Sequence, residues 1–555
     1  MTHSLLSATA GDRLLLLGNE AIVRGALEAG VGFVSTYPGT PASEIGDTFR
    51  ALAAEAGVVF EYSTNEKVAL EVAAGPAAAG VRCLVAMKHV GLNVAADPLM
   101  TLAYVGVRGG MVIVTADDPG CHSSQNEQDN RYFAKLASLP MFDPSTPEEA
   151  CAMTRAAFAL SEAIELPVLL RTTTRVSHTR GAVVCGEKGE SVNRGRFVKE
   201  PKRFVSVPAV ARLRHPVLLQ QFGKAAVRLA DSPFNHVSGT AKSLGIVTSG
   251  VAACYVADAV VEMRLAKKVR VLKIGTPHPL PEDLCADFLG AHERVLVAEE
   301  LEPFLEEKLK ILAHERGLAV KIFGKASGHF PRLGEFDPDL VRGALADLLG
   351  LGWVAEKPAA REPAPARPPI LCASCPHRST AYLLKLAAGD DAVFMTDIGC
   401  YTLAFSEPLS IGDMCLCMGA SITEASGLAA VSDQKTVALI GDSTFFHSGI
   451  AGLVNAVQNN RDLTVVVMDN GTTGMTGHQP HPGAMTGDGG ERAVSIEEIA
   501  RAAGVAHVAV VDPTDFGTAL PPMREVMNAP GVGVIVARAP CPLYARKELG
   551  AARSG

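Results

Sequence analysis

The chain has 555 residues, 48% of them apolar and 20% charged, so it is too long for a single core and too apolar to be disordered. Its formal charge of −8, with no long basic run, argues against nucleic acid as a partner. No stretch reads as a leader or as a bilayer span, which leaves a cytoplasmic protein as the expectation.

Before a Pro/Ala-rich run at Glu356 to Pro369, short Val/Ile/Leu segments alternate with helical patterns. VGFVSTY, VVFEYS, VRCLVAM, GMVIVTA and PVLLRT read as parallel strands, and VALEVAAGPAAAG as a crossover helix between two of them. These make a first domain over 1–179. The more polar stretch 180–240 holds one helix, near Ala209 to Leu229, and reads as a connection. A second block, 241–350, carries LGIVTSG, VRVLKIG and RVLVAEE. Beyond the linker (351–369), the block 370–555 carries VFMTDIG, KTVALIGD, LTVVVMDN, VAHVAVV and GVGVIVARAP. The expected fold is three α/β domains with mostly parallel sheets.

In open parallel sheets, ligands collect beyond the carboxyl ends of the strands. KTVALI is followed by Gly441-Asp442-Ser443, and LTVVVM by Asp469-Asn470-Gly471-Thr472. The Asp442 carboxylate, the Asn470 amide oxygen and the Thr472 carbonyl form an oxygen-rich set suited to Mg²⁺. Taken singly, GD and DN are common turn dipeptides. Together, with 26 residues between Ser443 and Asn470, they resemble the metal-diphosphate motif of thiamine-dependent enzymes, although Ser443 stands where that motif usually has Gly.

Twelve cysteines in such a chain are mostly expected to be buried thiols. Cys372 and Cys375 differ, forming a C-x-x-C pair in LCASCPHRS; Cys400 ends VFMTDIGC and Cys541 ends the last strand. Four thiolates from separate segments can hold Fe–S or zinc, and a zinc knuckle with unrelated cysteines elsewhere fits the spacing equally well. Cys415 and Cys417, in MCLCMGASI, are taken as buried thiols. Glu66 opens the helix after VVFEYS, where a carboxylate commonly complements the macrodipole, whereas Glu71 falls within that helix.

YPGTPASEI, NEKVALEVAAGPAAAG and MKHVGLN resemble the pyrimidine-binding domain of 2-oxoacid:ferredoxin oxidoreductases. CPHR, DIGCYTL, GDSTFFHSGI and DNGTTGMTGHQPHPG resemble the diphosphate domain of that family, most of all the large subunit of its indolepyruvate-type members. The resemblance spans nearly the whole chain. It implies that Glu66 activates thiamine diphosphate, that Thr40 lies near the substrate carbonyl, and that Gly399, Gly441, Asp442, Ser443, Asn470 and Thr472 hold the cofactor and its Mg²⁺. It further implies one [4Fe–4S] cluster on Cys372, Cys375, Cys400 and Cys541, with coenzyme A as cosubstrate.

The implied reaction is oxidative decarboxylation of an aryl 2-oxo acid, such as indolepyruvate or phenylpyruvate, to an acyl-CoA. The family pattern adds a smaller partner subunit, ferredoxin or another electron-accepting subunit, and a hetero-oligomer containing a dimer of this chain. Its large subunit usually continues into a ferredoxin-like tail, whereas this sequence stops at KELGAARSG. One rival is a non-redox thiamine decarboxylase or carboligase, which needs none of the cysteines. Another is a non-catalytic subunit binding a nucleotide or zinc. Lys88, His89, His377, Arg378, His478 and His481 are further pocket candidates that surface turns would explain equally well.

Overall fold

Runs of Val, Ile and Leu closed off by Gly, Asp or Pro form the buried centre of each sheet in the computed structural model, which describes residues 3–353, 365, 367–484 and 493–546. The chain divides into two compact units, Met1–Arg361 and Glu362–Gly555. Most of the Pro/Ala-rich run and the final KELGAARSG lie outside the described residues.

The first unit opens with β1 (Arg13–Leu17), followed by β2 (Phe33–Thr36), β3 (Val59–Tyr62), β4 (Cys83–Lys88), β5 (Met111–Asp117), β6 (Met141–Phe142), β7 (Val168–Thr173) and β8 (Arg180–Val184). Six of these build a parallel sheet in the order β3-β2-β4-β5-β7-β6. The crossover helix Glu66–Ala78 turns Ala69, Leu70, Ala73 and Ala77 inward, a stripe at helical spacing whose small side chains let the helix lie close on the sheet. Asn65 caps it, its side chain accepting the Val68 N–H at 2.8 Å.

A second sheet in the same unit uses β9 (His236–Ser238), β10 (Leu244–Thr248), β11 (Val269–Lys273), β12 (Arg294–Ala298) and β13 (Lys321–Phe323), in the order β13-β12-β10-β11-β9 with only β9 antiparallel. The polar stretch after residue 180, expected to be a connection, also supplies β8 and β9 besides its helix Pro208–Ala230. β8 pairs antiparallel with β1 across most of the first domain's length in sequence, so no local pattern announces it. The second unit holds one parallel sheet, β14 (Val393–Met395), β15 (Thr436–Gly441), β16 (Leu463–Asp469), β17 (His507–Val511) and β18 (Val532–Arg538), ordered β14-β15-β16-β18-β17. No helix among the described residues is long and apolar enough to cross a membrane.

Within the first unit the two large sheets are joined by buried charge. Arg131 bonds to Asp129 and Glu299, each at 2.6 Å, and to the carbonyls of Glu300 and Glu302 at 2.9 Å. Arg171 bonds to Asp117 at 2.8 Å and Asp143 at 3.2 Å, and Asp143 also accepts Ser249 Oγ at 2.7 Å. Breaking such a pair from one side strands a buried charge, which typically costs about 3–5 kcal/mol. Carboxyls outnumber guanidiniums here, and burial pushes Glu300 up to about 7 against the Phe336 N–H and the Arg171 charge, which pull it down. The folded state therefore holds a proton that the unfolded state releases near the ordinary glutamate value. Stability from this group is present at low pH and is lost as pH rises to about 7, by about 3 kcal/mol. Glu300→Gln should flatten that slope in a thermal-denaturation series from pH 5 to 8; an unchanged slope would count against the assignment.

Candidate active site

The second unit places its polar residues at the carboxyl ends of β15 and β16. Asp442, directly after β15, is 3% exposed, and its Oδ2 accepts the N–H groups of Asn470 (3.0 Å) and Gly471 (2.8 Å) together with His481 Nε2 at 3.0 Å. Gly471 takes φ +75°, a backbone turn that suits glycine and lets two successive N–H groups aim at one oxygen. Burial alone would raise the Asp442 carboxyl, but the hydrogen bond and charge of His481, helped by the Ser443 and Gly471 N–H groups, hold it below the ordinary value. Among the described residues, Oδ1 takes the Ser443 N–H alone, at 2.8 Å, and keeps capacity for a cation. The Asn470 amide oxygen accepts the Thr472 N–H at 3.1 Å and retains a second lone pair. Ser443 is tied to the same loop by Thr473, whose hydroxyl donates to Ser443 Oγ at 3.0 Å. Hard oxygens that keep spare lone pairs, one of them a buried carboxylate, fit magnesium and through it a diphosphate.

The cysteine segments meet this loop. Cys375 N-caps the helix Pro376–Ala388, and its N–H reaches the Cys372 carbonyl at 3.3 Å. Arg378 pins that turn, donating to the Cys372 carbonyl at 2.9 Å and to the Leu371 carbonyl. Cys400 opens the short helix Cys400–Phe405 just after Gly399, whose N–H donates to Thr402 Oγ1 at 3.1 Å. The Cys541 N–H donates to the Asn470 carbonyl at 3.1 Å.

Burial pushes the Cys400 thiol up to about 11, with Cys375, Cys541 and Cys372 adding to it, so these three lie within electrostatic reach of Cys400. Among the described residues, no group of three or more His, Cys, Asp or Glu side chains is arranged to hold a metal ion. A single tetrahedral zinc would draw its sulfurs to within about 4 Å of one another, since Zn–S bonds are ~2.3 Å. A cube with one thiolate at each iron spreads its ligands more widely, and four thiols are the number of donors that either group takes.

Cys415 and Cys417, expected to be buried thiols, are half-buried and exposed respectively. Asp397 and Glu424, rather than the other four cysteines, set their surroundings, because they lie in the loop before the helix Ala420–Leu428. Cys121 is likewise exposed. His478 stacks on Tyr544 at 5.7 Å, whereas His481 bonds directly to Asp442.

In the first unit the helix-opening Glu66 is 5% exposed, while Glu71 sits on the outer face in an ion pair with Lys67. The Glu66 carboxylate lies against the Cα of Gly91: a Cβ there would stand 2.6 Å from its Oε1. MKHVGLN therefore needs glycine at that position to admit the acid. Lys88, at the end of β4, lies over Gly39 beside Thr40 and donates to the Ser123 carbonyl. Burial lowers its ammonium to about 8 against the opposing charges of Asp118, Cys121 and Glu66. Ser123 Oγ donates to the Thr40 carbonyl at 3.3 Å. His89 is buried, with Nε2 3.2 Å from Asn126 Oδ1. Glu66, Thr40 and Lys88 thus gather at one carboxyl edge. Asp118, which anchors the covering loop through Ser123 N–H (2.8 Å) and Thr174 Oγ1 (2.7 Å), carried no motif in the sequence beyond following a strand.

The pyruvate flavodoxin/ferredoxin oxidoreductase thiamine-diphosphate-binding family matches residues 24–229, and the C-terminal binding domain of thiamine pyrophosphate enzymes matches 397–537. Indolepyruvate oxidoreductase subunit IorA of Methanothermobacter thermautotrophicus is 47% identical over 98% of this chain and 89% of its own length. The chain belongs to the 2-oxoacid:ferredoxin oxidoreductase family. The Pyrococcus abyssi subunit of the same name is 45% identical, again over 98% of the chain and 88% of its own length. A solved 2-oxoglutarate:ferredoxin oxidoreductase from Magnetococcus marinus shares the fold, with a TM-score of 0.50 and 15% identity over 61% of this chain and 65% of that one. As a member of the 2-oxoacid:ferredoxin oxidoreductases, the protein is a thiamine-diphosphate-dependent oxidoreductase.

Proposed function

We propose that the chain carries out oxidative decarboxylation of an aryl 2-oxo acid, indolepyruvate or phenylpyruvate, to an acyl-CoA, passing electrons through a [4Fe–4S] cluster to ferredoxin or a partner subunit. Residues 1–179 serve as the pyrimidine-binding domain, 180–240 as a connecting segment, 241–350 as a transketolase C-terminal-like domain, 351–369 as a linker and 370–555 as the diphosphate-binding domain. The observation that carries the redox reading is the Asn470 loop, which bonds to the Cys541 segment and lies beside Cys400. A non-redox thiamine enzyme would have no use for thiols at that place. The aryl substrate class rests on the names of the relatives.

Thiamine diphosphate, when bound, supplies a carbon nucleophile and an electron sink at C2, and the cluster a one-electron acceptor. The rest falls to side chains. Asp442, Asn470 and the Thr472 carbonyl hold Mg²⁺, with the backbone of Gly399, Gly441 and Ser443 lining the diphosphate. Glu66 exchanges a proton with the aminopyrimidine as general acid and base, in a buried setting that keeps water from competing. Thr40 orients the substrate carbonyl. Cys372, Cys375, Cys400 and Cys541 hold the cluster. A smaller subunit, in a hetero-oligomer built on a dimer of this chain, receives the electrons.

Anaerobic purification together with its partner subunit should yield thiamine diphosphate and about four irons per chain. Dye reduction should depend on an aryl 2-oxo acid and coenzyme A. Protein that holds thiamine but no iron, and releases CO₂ without reducing the dye, would establish the non-redox rival instead.

A further inference from the structure

The amide of Asn470 is held from the side where the cysteines lie. Its Nδ2 is 3.2 Å from Nε2 of His377, two residues beyond Cys375. At Gly474, an added Cβ would stand 3.7 Å from both Asn470 Nδ2 and Cys400 Sγ. The direction of the His377 contact follows from hydrogen-bond logic. The Thr472 N–H can only donate, so the Asn470 atom it meets at 3.1 Å is the oxygen, and the atom facing His377 is the NH₂. Nε2 of His377 must therefore accept, which is the neutral imidazole with its proton on Nδ1. The ring is 4% exposed and stands edge-on to Tyr401, the residue after Cys400, with centroids 6.1 Å apart. One imidazole thus touches the C-x-x-C helix, the Cys400 segment and the amide of Asn470.

We infer that His377 is a positioning residue that couples filling of the cysteine set to magnesium-diphosphate binding. The inference rests on the reading above of the four cysteines as cluster ligands and of Asp442 and Asn470 as magnesium ligands. A primary amide has two orientations, and only one offers oxygen to a cation; the wrong one presents NH₂. His377 accepting on one side and the Thr472 N–H donating on the other select the binding orientation. His377 keeps its place only while the Cys372–Cys375 turn and the Cys400 segment keep theirs. A cluster bridging those segments therefore presets Asn470, and by linkage magnesium and thiamine diphosphate tighten the cluster to the same degree.

The test measures affinity for thiamine diphosphate at saturating Mg²⁺ by calorimetry, on the assembled complex with and without its iron. Wild type should bind roughly tenfold more tightly when iron-loaded, within the usual range of coupling. His377→Leu should weaken the loaded form to the level of the iron-depleted one, and His377→Gln, whose Oε1 can still accept, should restore most of the difference. Adding magnesium and thiamine diphosphate should also shift the electron paramagnetic resonance signal of the reduced cluster in wild type and in the Gln variant, but not in Leu. Equal affinities for loaded and depleted wild type overturn the coupling without recourse to any variant. A Leu variant that keeps the wild-type ratio, or a Gln variant that behaves like Leu, removes His377 from it. Wild type that binds thiamine diphosphate but no iron refutes the cluster reading itself, a separate result from a normal iron load with no coupling.

Discussion

Glu66→Gln is expected to leave the protein folded and thiamine diphosphate bound, while turnover falls roughly 10²–10⁴-fold, the usual share of a general acid/base. The substitution suits the site because Gln has the shape of Glu. The side chain lies against Gly91, with no room for a bulkier replacement, and a smaller one would leave a void beside the buried start of the helix Glu66–Ala78. An amide can still hydrogen-bond but cannot cycle a proton with the aminopyrimidine. The diagnostic measurement is exchange of the cofactor C2 proton with deuterated solvent, followed by acid quench and NMR. Exchange at the wild-type rate in the variant would mean that another group does this work, with the exposed Glu71 a poor candidate given its pairing with Lys67.

Asp442 should show the other large effect. Outer partners of a metal ligand typically change metal affinity 10–100-fold, so replacing the charged ligand itself should cost roughly 100-fold or more in magnesium-dependent binding of thiamine diphosphate. Asp442→Ala also strands the N–H groups of Asn470 and Gly471 and the His481 ring, at about 1–3 kcal/mol for each donor left unsatisfied in the interior. Asp442→Asn separates the two effects, because its amide oxygen can still accept from the loop while the charge is gone. Equilibrium dialysis should find both variants empty at cofactor levels that fill wild type, with only Ala losing several degrees of melting temperature. An Asn variant that binds normally would remove Asp442 from the metal site.

How much of this could be read from sequence depends on distance along the chain. The long central strands declared themselves because a strand buried on both faces is an unbroken apolar run, and the residues following it face the ligand edge by construction. That logic marked Asp442 and Asn470 as candidates and pointed to the fold class, whereas the choice of Glu66 rested on family resemblance. β1 and β8 were missed because each is short and half-exposed, and they are strands only by virtue of one another. The same limit hid the site's internal bonds. His481 and Asp442 are 39 residues apart, and His377 and Asn470 are 93 apart, so no periodicity or motif spacing joins them. Family resemblance could rank Glu66 over Glu71, but the burial of one and the exposure of the other come only from how the helix rolls onto its sheet.

The guanidinium of Arg131 has a practical meaning for how this protein can be divided. A fragment ending after β8 would keep all six strands of the first sheet together with Glu66, Thr40, Lys88 and Ser123. Arg131 would lose Glu299 and the two carbonyls beyond it, and Asp143 would lose Ser249. The fragment would expose a charged face shaped for an absent neighbour. The two α/β halves of this unit are thus expected to be inherited, expressed and unfolded together, behaving as a single piece in evolution despite reading as two domains.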